Sequence, residues 1–201
     1  MKQYEAVINE AGKPTGRIGR RPFKIAVLGA ECSGKTTLVR LLADKLSARC
    51  LPETLRQFCQ QHQRTPRPDE QQALLEDQIL QEQQVLSALI AAKGLGHRAA
   101  PLIVDSTPLA TALYSLDLFG DASLLEAGVA HQRSYDLTLL AGIDLPWQPD
   151  GFMRDGPVVR ARFDALLRET LESHGLAYVP LQGALSKRLI VAMDAIGKLE
   201  T

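Results

Sequence analysis

Short apolar runs alternate with longer amphipathic stretches along this chain from Phe23 onward. The runs are short enough for β-strands and lie at 24–28, 49–51, 101–105, 137–140 and 177–181. Strands that alternate with helices in this way are typical of a parallel sheet that is covered on both faces. We therefore predict an α/β fold with a five-stranded, mainly parallel sheet.

Apolar residues recur at helical spacing between these runs. The pattern predicts helices over about 34–49, 55–59, 69–93, 107–118, 121–133, 157–173 and 185–196. Asp69 is the predicted N-cap of the longest helix, and Thr107 with Pro108 fits the N-cap and first position of another. The long helix has a predicted buried stripe at Leu75, Ile79, Leu86 and Ile90. Its predicted solvent-exposed face is rich in glutamine, at Gln71, Gln72, Gln78, Gln81, Gln83 and Gln84.

Composition and charge indicate how the chain is divided into domains and which classes of partner are expected. Residues 1–22 are rich in glycine and basic side chains and show no periodicity, which predicts a flexible N-terminal tail before one domain at 23–201. The 23 basic and 23 acidic residues cancel, so no overall basic field favours nucleic acid. No apolar stretch approaches the roughly 20 residues that span a bilayer, so we expect a cytoplasmic protein without membrane contact. The three cysteines form no C-x-x-C pair and are expected to be free thiols.

The strongest chemical signal follows the first predicted strand and reads G-x-x-x-x-G-K-T. In a strand-to-helix turn this is a phosphate-binding loop, whose backbone N–H groups surround nucleotide phosphates at a helix N-terminus. Lys35 is expected to reach the β- and γ-phosphates, Thr36 to offer its hydroxyl to Mg²⁺, and Thr37 to approach the α-phosphate. The predicted nucleotide-binding residues are Gly29, Ala30, Glu31, Cys32, Ser33, Gly34, Lys35, Thr36 and Thr37.

Two carboxylates lie at or just after the ends of predicted strands, Asp105 as the last residue of one and Glu53 after another, and therefore belong at the same sheet edge as the loop. Asp105 is a candidate Mg²⁺ ligand, and its alternative role is to cap the turn into the next helix. Glu53 is a candidate base that accepts a proton from a substrate hydroxyl, and its alternative role is to cap the short helix that follows it. Arg56 lies three residues further on and is expected to bind substrate or to pair with Glu53.

A loop after the fourth predicted strand, at 144–156, holds the only tryptophan, Trp147, among acidic, proline and glycine residues. Phosphoryl transfer needs a cover that excludes water and cations that neutralise the spreading charge. The loop and its flank supply Arg154, Arg160 and Arg162, and we predict Arg154 as the catalytic cation. Arg160 and Arg162 cannot share one helical face, so at most one of them is expected in the site.

These motifs together resemble the P-loop kinase domain of NadR-type proteins, the ribosylnicotinamide kinase-like family. The family's G-x-E-S-S-G-K-[ST] loop is similar to residues 29–36, its E-[YF]-A-R-E-[YF] segment to residues 53–58, and its D-[IV]-P-W-x-x-D-G-x-R segment to residues 144–154. The resemblance implies a nucleoside- and nucleotide-kinase-like P-loop NTPase fold, ATP and Mg²⁺ as cofactors, and a nucleoside acceptor such as nicotinamide riboside. It also implies the acceptor contacts, which are Glu53, Arg56, Asp144, Trp147 and Asp150.

Other uses of the nucleotide stay open at the level of sequence. An ATPase or nucleotide-operated switch that acts on a protein partner is the principal alternative to a kinase, and a nucleotide sensor without turnover is a third. A GTPase is disfavoured, because Gly142-Ile143-Asp144 stands where an N-K-x-D guanine-reading element is expected. The sequence leaves open whether the chain forms a homo-oligomer.

Overall fold

A computed structural model of the chain describes residues 21–92, 100–148 and 156–199. The predicted tail, 1–22, lies outside this range except for its last two residues. Arg21 forms an ion pair of 2.6 Å with Asp136, which precedes the fourth strand of the sheet. None of the helices in the described ranges is long and apolar enough to cross a membrane.

The described residues form one five-stranded parallel sheet. Its strands are β1 (Lys24–Leu28), β2 (Arg49–Leu51), β3 (Leu102–Asp105), β4 (Leu137–Ala141) and β5 (Val179–Leu181). The strand order is β2-β3-β1-β4-β5, and all four pairings are parallel. This arrangement confirms the predicted α/β fold and places the carboxyl ends of all five strands at one edge.

Helices cover both faces of the sheet. They are α1 (Lys35–Leu46), α2 (Thr54–His62), α3 (Gln71–Ala92), α4 (Pro108–Phe119), α5 (Leu125–Gln132), α6 (Pro157–Ser173) and α7 (Leu185–Leu199). On one face, Val27 and Leu139 pack with α1 and α7; on the other, Leu28 and Leu140 pack with α4 and α6. All five residues of β1 are buried, which explains its continuous apolar run.

Several predicted helix starts or ends were wrong; α2 and α7, for example, each continue three residues past their predicted ends. A short 3₁₀ turn (Pro68–Glu70) precedes α3, so Asp69 is not its N-cap; the Glu70 carboxylate instead accepts the backbone N–H of Arg67 at 2.8 Å. Helix α1 ends at Leu46, because Ser47 adopts a left-handed conformation. Helix α5 begins at Leu125, four residues after the predicted start.

The predicted faces of α3 also need correction. Gln71 and Gln78, expected in solvent, are both 2% exposed, whereas Ile90, expected in the core, is 54% exposed. The fully buried positions of α3 lie between Gln71 and Glu82 and include polar residues, whereas Leu86 and Leu89 further on are partly buried against β2 and β3. Buried glutamine is stable where the fold supplies a partner: the Gln78 amide donates to the Ser106 carbonyl at 2.8 Å.

A buried charge cluster fastens α3 to β1 and α5. Glu82, which is fully buried, pairs with Lys24 at 2.6 Å and with His131 at 2.8 Å, and its other oxygen accepts the Tyr135 hydroxyl at 2.7 Å. Burial alone raises the pKa of Glu82, but the His131 hydrogen bond and the Lys24 charge more than offset it and leave this pKa below its ordinary value. Burial also lowers the pKa of Lys24.

Candidate functional site

The loop between β1 and α1 takes a shape that requires both of its glycines. Gly29 has a φ of +147°, and a Cβ there would lie 2.5 Å from the Ala141 carbonyl oxygen. Gly34 has a φ of +80° and occupies the N-cap position of α1. The loop therefore runs close to the end of β4 and turns directly into a helix N-terminus, where anions are favoured.

Lys35 and Ser33 face the interior of this loop. Lys35 is 8% exposed, and its ammonium donates to the Ala30 carbonyl at 2.9 Å. The Ser33 hydroxyl oxygen is buried and has no hydrogen-bond partner among the described residues. A buried hydroxyl is costly to leave unpaired, so the loop holds both a cation and a polar group that phosphate oxygens can satisfy.

Thr36 and Asp105 meet beside the loop. The Thr36 hydroxyl donates to one Asp105 oxygen at 2.7 Å, and the other Asp105 oxygen is buried without a partner in the described part of the chain. Thr107, not Asp105, is the N-cap of α4, so the capping alternative for Asp105 is not realised. An unpartnered carboxylate oxygen beside a hydroxyl suits a hard divalent cation such as Mg²⁺.

A cavity of about 610 Å³ extends from the phosphate-binding loop to the start of α2. Lys35, Thr36, Glu53 and Arg56 all line it. The Glu53 carboxylate lies 3.6 Å from the Arg56 guanidinium. Glu53 occupies the N-cap position of α2, but its side chain makes no capping hydrogen bond among the described residues, so its alternative role as a cap is not realised.

The beginning of the predicted cover lies directly on the phosphate-binding loop. The Trp147 indole N–H donates to Glu31 at 3.2 Å, and the Cys32 thiol donates to the Gln148 carbonyl at 3.3 Å. Arg160, which is 5% exposed, donates to the carbonyls of Leu145 at 2.9 Å and Cys32 at 3.4 Å. These contacts join the cover to the loop.

Only one of the two α6 arginines reaches the site, as their spacing predicts. Arg160 lines the cavity, whereas Arg162 pairs with Asp117 of α4 at 2.7 Å. Two further predicted site residues, Asp150 and Arg154, lie outside the described residues, so their roles stay predictions.

Asp144 and Trp147 are not among the described residues that line the cavity. Asp144 accepts the Gly183 N–H and the Arg188 guanidinium, both at 2.5 Å. Burial alone raises the pKa of the Asp144 carboxyl, but the Gly183 amide and then the Arg188 charge leave it below its ordinary value. The predicted acceptor contacts of both residues stay predictions.

Sequence reasoning missed Arg188, the largest fully buried side chain of the described residues. It donates to the carbonyls of Ser33, Gly142 and Gly183, at 2.5, 3.2 and 2.8 Å. One guanidinium thus ties the phosphate-binding loop to the ends of β4 and β5. The sequence does contain a signal for the burial of Arg188, because this residue falls on the same helical stripe as the buried Ala192 and Ile196.

This parallel sheet, with its phosphate-binding loop after the central strand, defines a P-loop domain with the fold of nucleoside and nucleotide kinases. A family described as "AAA domain" (AAA_28) matches residues 24–188. The chain belongs to this AAA domain family. A search of curated proteins finds no match.

Solved structures of nucleoside and nucleotide kinases share the fold. A NadR protein in complex with NR is 22% identical with a TM-score of 0.64, over 89% of this chain and 51% of that one. The chain therefore spans about half the length of NadR. Deoxyadenosine kinase from M. mycoides is 14% identical with a TM-score of 0.59, over 88% of this chain and 100% of that one. Thymidylate kinase from Ehrlichia chaffeensis is 16% identical with a TM-score of 0.60, over 90% and 100%.

Proposed function

We propose that this protein is an ATP-dependent phosphotransferase that transfers the γ-phosphoryl group of ATP to a hydroxyl of a small nucleoside-like acceptor. One observation carries the proposal: a single cavity joins the phosphate-binding residues Lys35 and Thr36 to the Glu53–Arg56 pair. Donor and acceptor can therefore occupy one cavity. Positioning two reactants in this way is, with electrostatic stabilisation, one of the two main contributions of a protein to phosphoryl transfer.

In the proposed reaction the acceptor hydroxyl oxygen forms a bond to the γ-phosphorus, and the bond to the β,γ-bridging oxygen breaks to release ADP. Glu53 accepts the hydroxyl proton. Lys35 stabilises charge on the phosphate oxygens, and Arg160, already at the loop, is the described arginine best placed to add a second positive charge. Arg154 retains its proposed role as a cation of the cover.

Thr36 and Asp105 are the residues that we propose to hold Mg²⁺. The buried, unpartnered oxygen of Asp105 supports this assignment within the described residues. When bound with ATP, Mg²⁺ neutralises charge on the β- and γ-phosphates.

We propose nicotinamide riboside as the first acceptor to test. The motif resemblance to NadR-type kinases and the shared fold with NadR in complex with NR support this choice. At 22% identity the likeness supports a fold, so the acceptor must be found by experiment.

The test is to incubate the protein with Mg-ATP and a nucleoside panel that contains nicotinamide riboside, and to identify products by mass spectrometry. We expect a nucleoside monophosphate from the wild type and none from Lys35→Ala. Lys45→Ala, at the exposed C-terminal end of α1, is the matched control and should retain the product. ATP hydrolysis without a phosphorylated nucleoside would contradict the proposal and favour an ATPase or switch that acts on a protein partner.

A further inference from the structure

Gln71, the first residue of α3, lines the same cavity as Glu53 and Arg56. Its side chain is 2% exposed. Its amide oxygen is buried and finds no hydrogen-bond partner within the described ranges. The cavity wall therefore contains a polar atom that none of the described residues pairs.

Other glutamines of α3 show that an unpaired buried amide oxygen is not a general property of the helix. Gln78 is equally buried, but its amide donates to the Ser106 carbonyl at 2.8 Å. Gln72, next along the chain, is exposed and donates to Glu76 at 2.9 Å. An unpaired buried amide costs about 1–3 kcal/mol, so Gln71 gains from a partner that enters the cavity.

The walls of the cavity indicate the shape of that partner. Tyr114 and Phe163 line it with their rings stacked at a centroid distance of 4.2 Å, and Leu55 and Leu118 also contribute apolar surface. These aromatic and apolar residues share the cavity with polar ones such as Glu53, Arg56 and Gln71, and such a lining suits a flat ring that presents a hydrogen-bonding edge.

We propose that Gln71 recognises an amide edge, an N–H beside a C=O, on the ring of the acceptor. This inference rests on the proposed function and deepens it, because it names the chemical class of the acceptor. A glutamine amide is both donor and acceptor, and it pairs with a carboxamide or a ring lactam through two hydrogen bonds. Nucleosides whose ring edge carries no N–H donor leave the Gln71 oxygen unpaired.

The test uses pairs of nucleosides that differ only in this edge. Nicotinamide riboside is compared with ribosylpyridinium, which lacks the carboxamide, and inosine with purine riboside, which lacks the lactam. Binding of each is measured by calorimetry in the presence of Mg²⁺ and a non-hydrolysable ATP analogue. Wild-type protein, Gln71→Leu and the neighbouring control Gln72→Leu are compared, and circular dichroism checks that each variant is folded.

We expect the wild type to bind an amide-bearing nucleoside at least about tenfold more tightly than its amide-free partner, the discrimination usual for a bidentate contact. Gln71→Leu should abolish this difference, and Gln72→Leu should retain it. Equal binding of both members of each pair by the wild type, or no binding of either amide-bearing nucleoside, would overturn the proposal even if Gln71→Leu fails to fold.

The same samples separate this inference from the proposed function. If Mg-ATP replaces the analogue and an amide-bearing nucleoside binds but receives no phosphate, the phosphotransferase proposal fails and the Gln71 contact stands. If phosphate is transferred equally to amide-bearing and amide-free nucleosides, the Gln71 contact fails and the phosphotransferase proposal stands.

Discussion

The Thr36 hydroxyl donates to Asp105 at 2.7 Å, although the two residues are 69 positions apart in the chain. The sheet causes this contact, because β1 and β3 are adjacent and parallel and both end at the same edge. Thr36 lies in the first turn of α1 and Asp105 is the last residue of β3, and the pairing of β1 with β3 brings them together.

Replacing Asp105 tests the proposed magnesium site. Asp105→Asn keeps the size of the side chain and removes its charge, so we expect activity to fall about 10- to 100-fold and to be partly restored by excess Mg²⁺. Asp77→Asn, on the exposed side of α3, is the control. Activity measured against Mg²⁺ concentration checks this, and an unchanged magnesium dependence in Asp105→Asn would remove the residue from the site.

Trp147 should report nucleotide binding, because the only tryptophan of the chain donates to Glu31 in the phosphate-binding loop. We expect Mg-ATP to change the tryptophan emission of the wild type and to leave that of Lys35→Ala constant. Glu31→Ala should shift the emission even without nucleotide, since the indole loses its partner. Emission that responds to Mg-ATP equally in wild type and Lys35→Ala would contradict this placement.

We expect Arg188 to contribute strongly to the free energy of unfolding. Arg188→Met removes the guanidinium donor from three backbone carbonyls and one of the two donors from Asp144, and we expect a loss of at least about 2 kcal/mol in the free energy of unfolding. Its exposed neighbour is the control, and Lys187→Met should change stability by no more than about 0.5 kcal/mol. Urea unfolding measures both, and equal values would show that the guanidinium is dispensable.

Glu82 should make stability depend on acidic pH. Its pKa is lowered in the folded protein from an ordinary value of 4.5, so its contribution is complete above that pH and is lost as the pH falls through the folded value. Glu82→Gln should be less stable than the wild type near pH 7, by about 3 kcal/mol or more, and the gap should narrow towards pH 3.

Urea unfolding from pH 3 to 7 measures this dependence, with the exposed Glu169→Gln as control. A gap between wild type and Glu82→Gln that stays constant with pH would show that the Glu82 charge does not carry the effect.

The strands and the phosphate-binding loop could be predicted because their signals are local. A short apolar run and the G-x-x-x-x-G-K-T pattern each depend on adjacent residues. The strand order β2-β3-β1-β4-β5 was not predicted, because it depends on pairing between strands that are distant in the chain. The polar interior could not be predicted in this way. Gln78 is buried because Ser106 offers a carbonyl, and Glu82 because Lys24, His131 and Tyr135 surround it.

Helix α3 shows why the spacing of apolar residues alone does not identify the buried face of a helix. Its buried positions include Gln71, Gln78 and Glu82 beside Leu74 and Leu75, so polarity does not mark the solvent side. Ile90 is exposed, although the nearby Leu86 and Leu89 pack against buried residues of β2 and β3. Contacts with residues that are distant in sequence decide both the burial of these polar side chains and the exposure of Ile90.

The most direct test of the account is the rate of γ-phosphoryl transfer by Glu53→Gln in a single turnover. The substrates are Mg-ATP and nicotinamide riboside, or whichever nucleoside of the panel accepts phosphate, with wild type and Glu169→Gln measured in parallel. A lost base predicts a rate about 10²- to 10⁴-fold below the wild type, with ATP binding retained. A Glu53→Gln rate equal to the wild type would contradict the proposed mechanism.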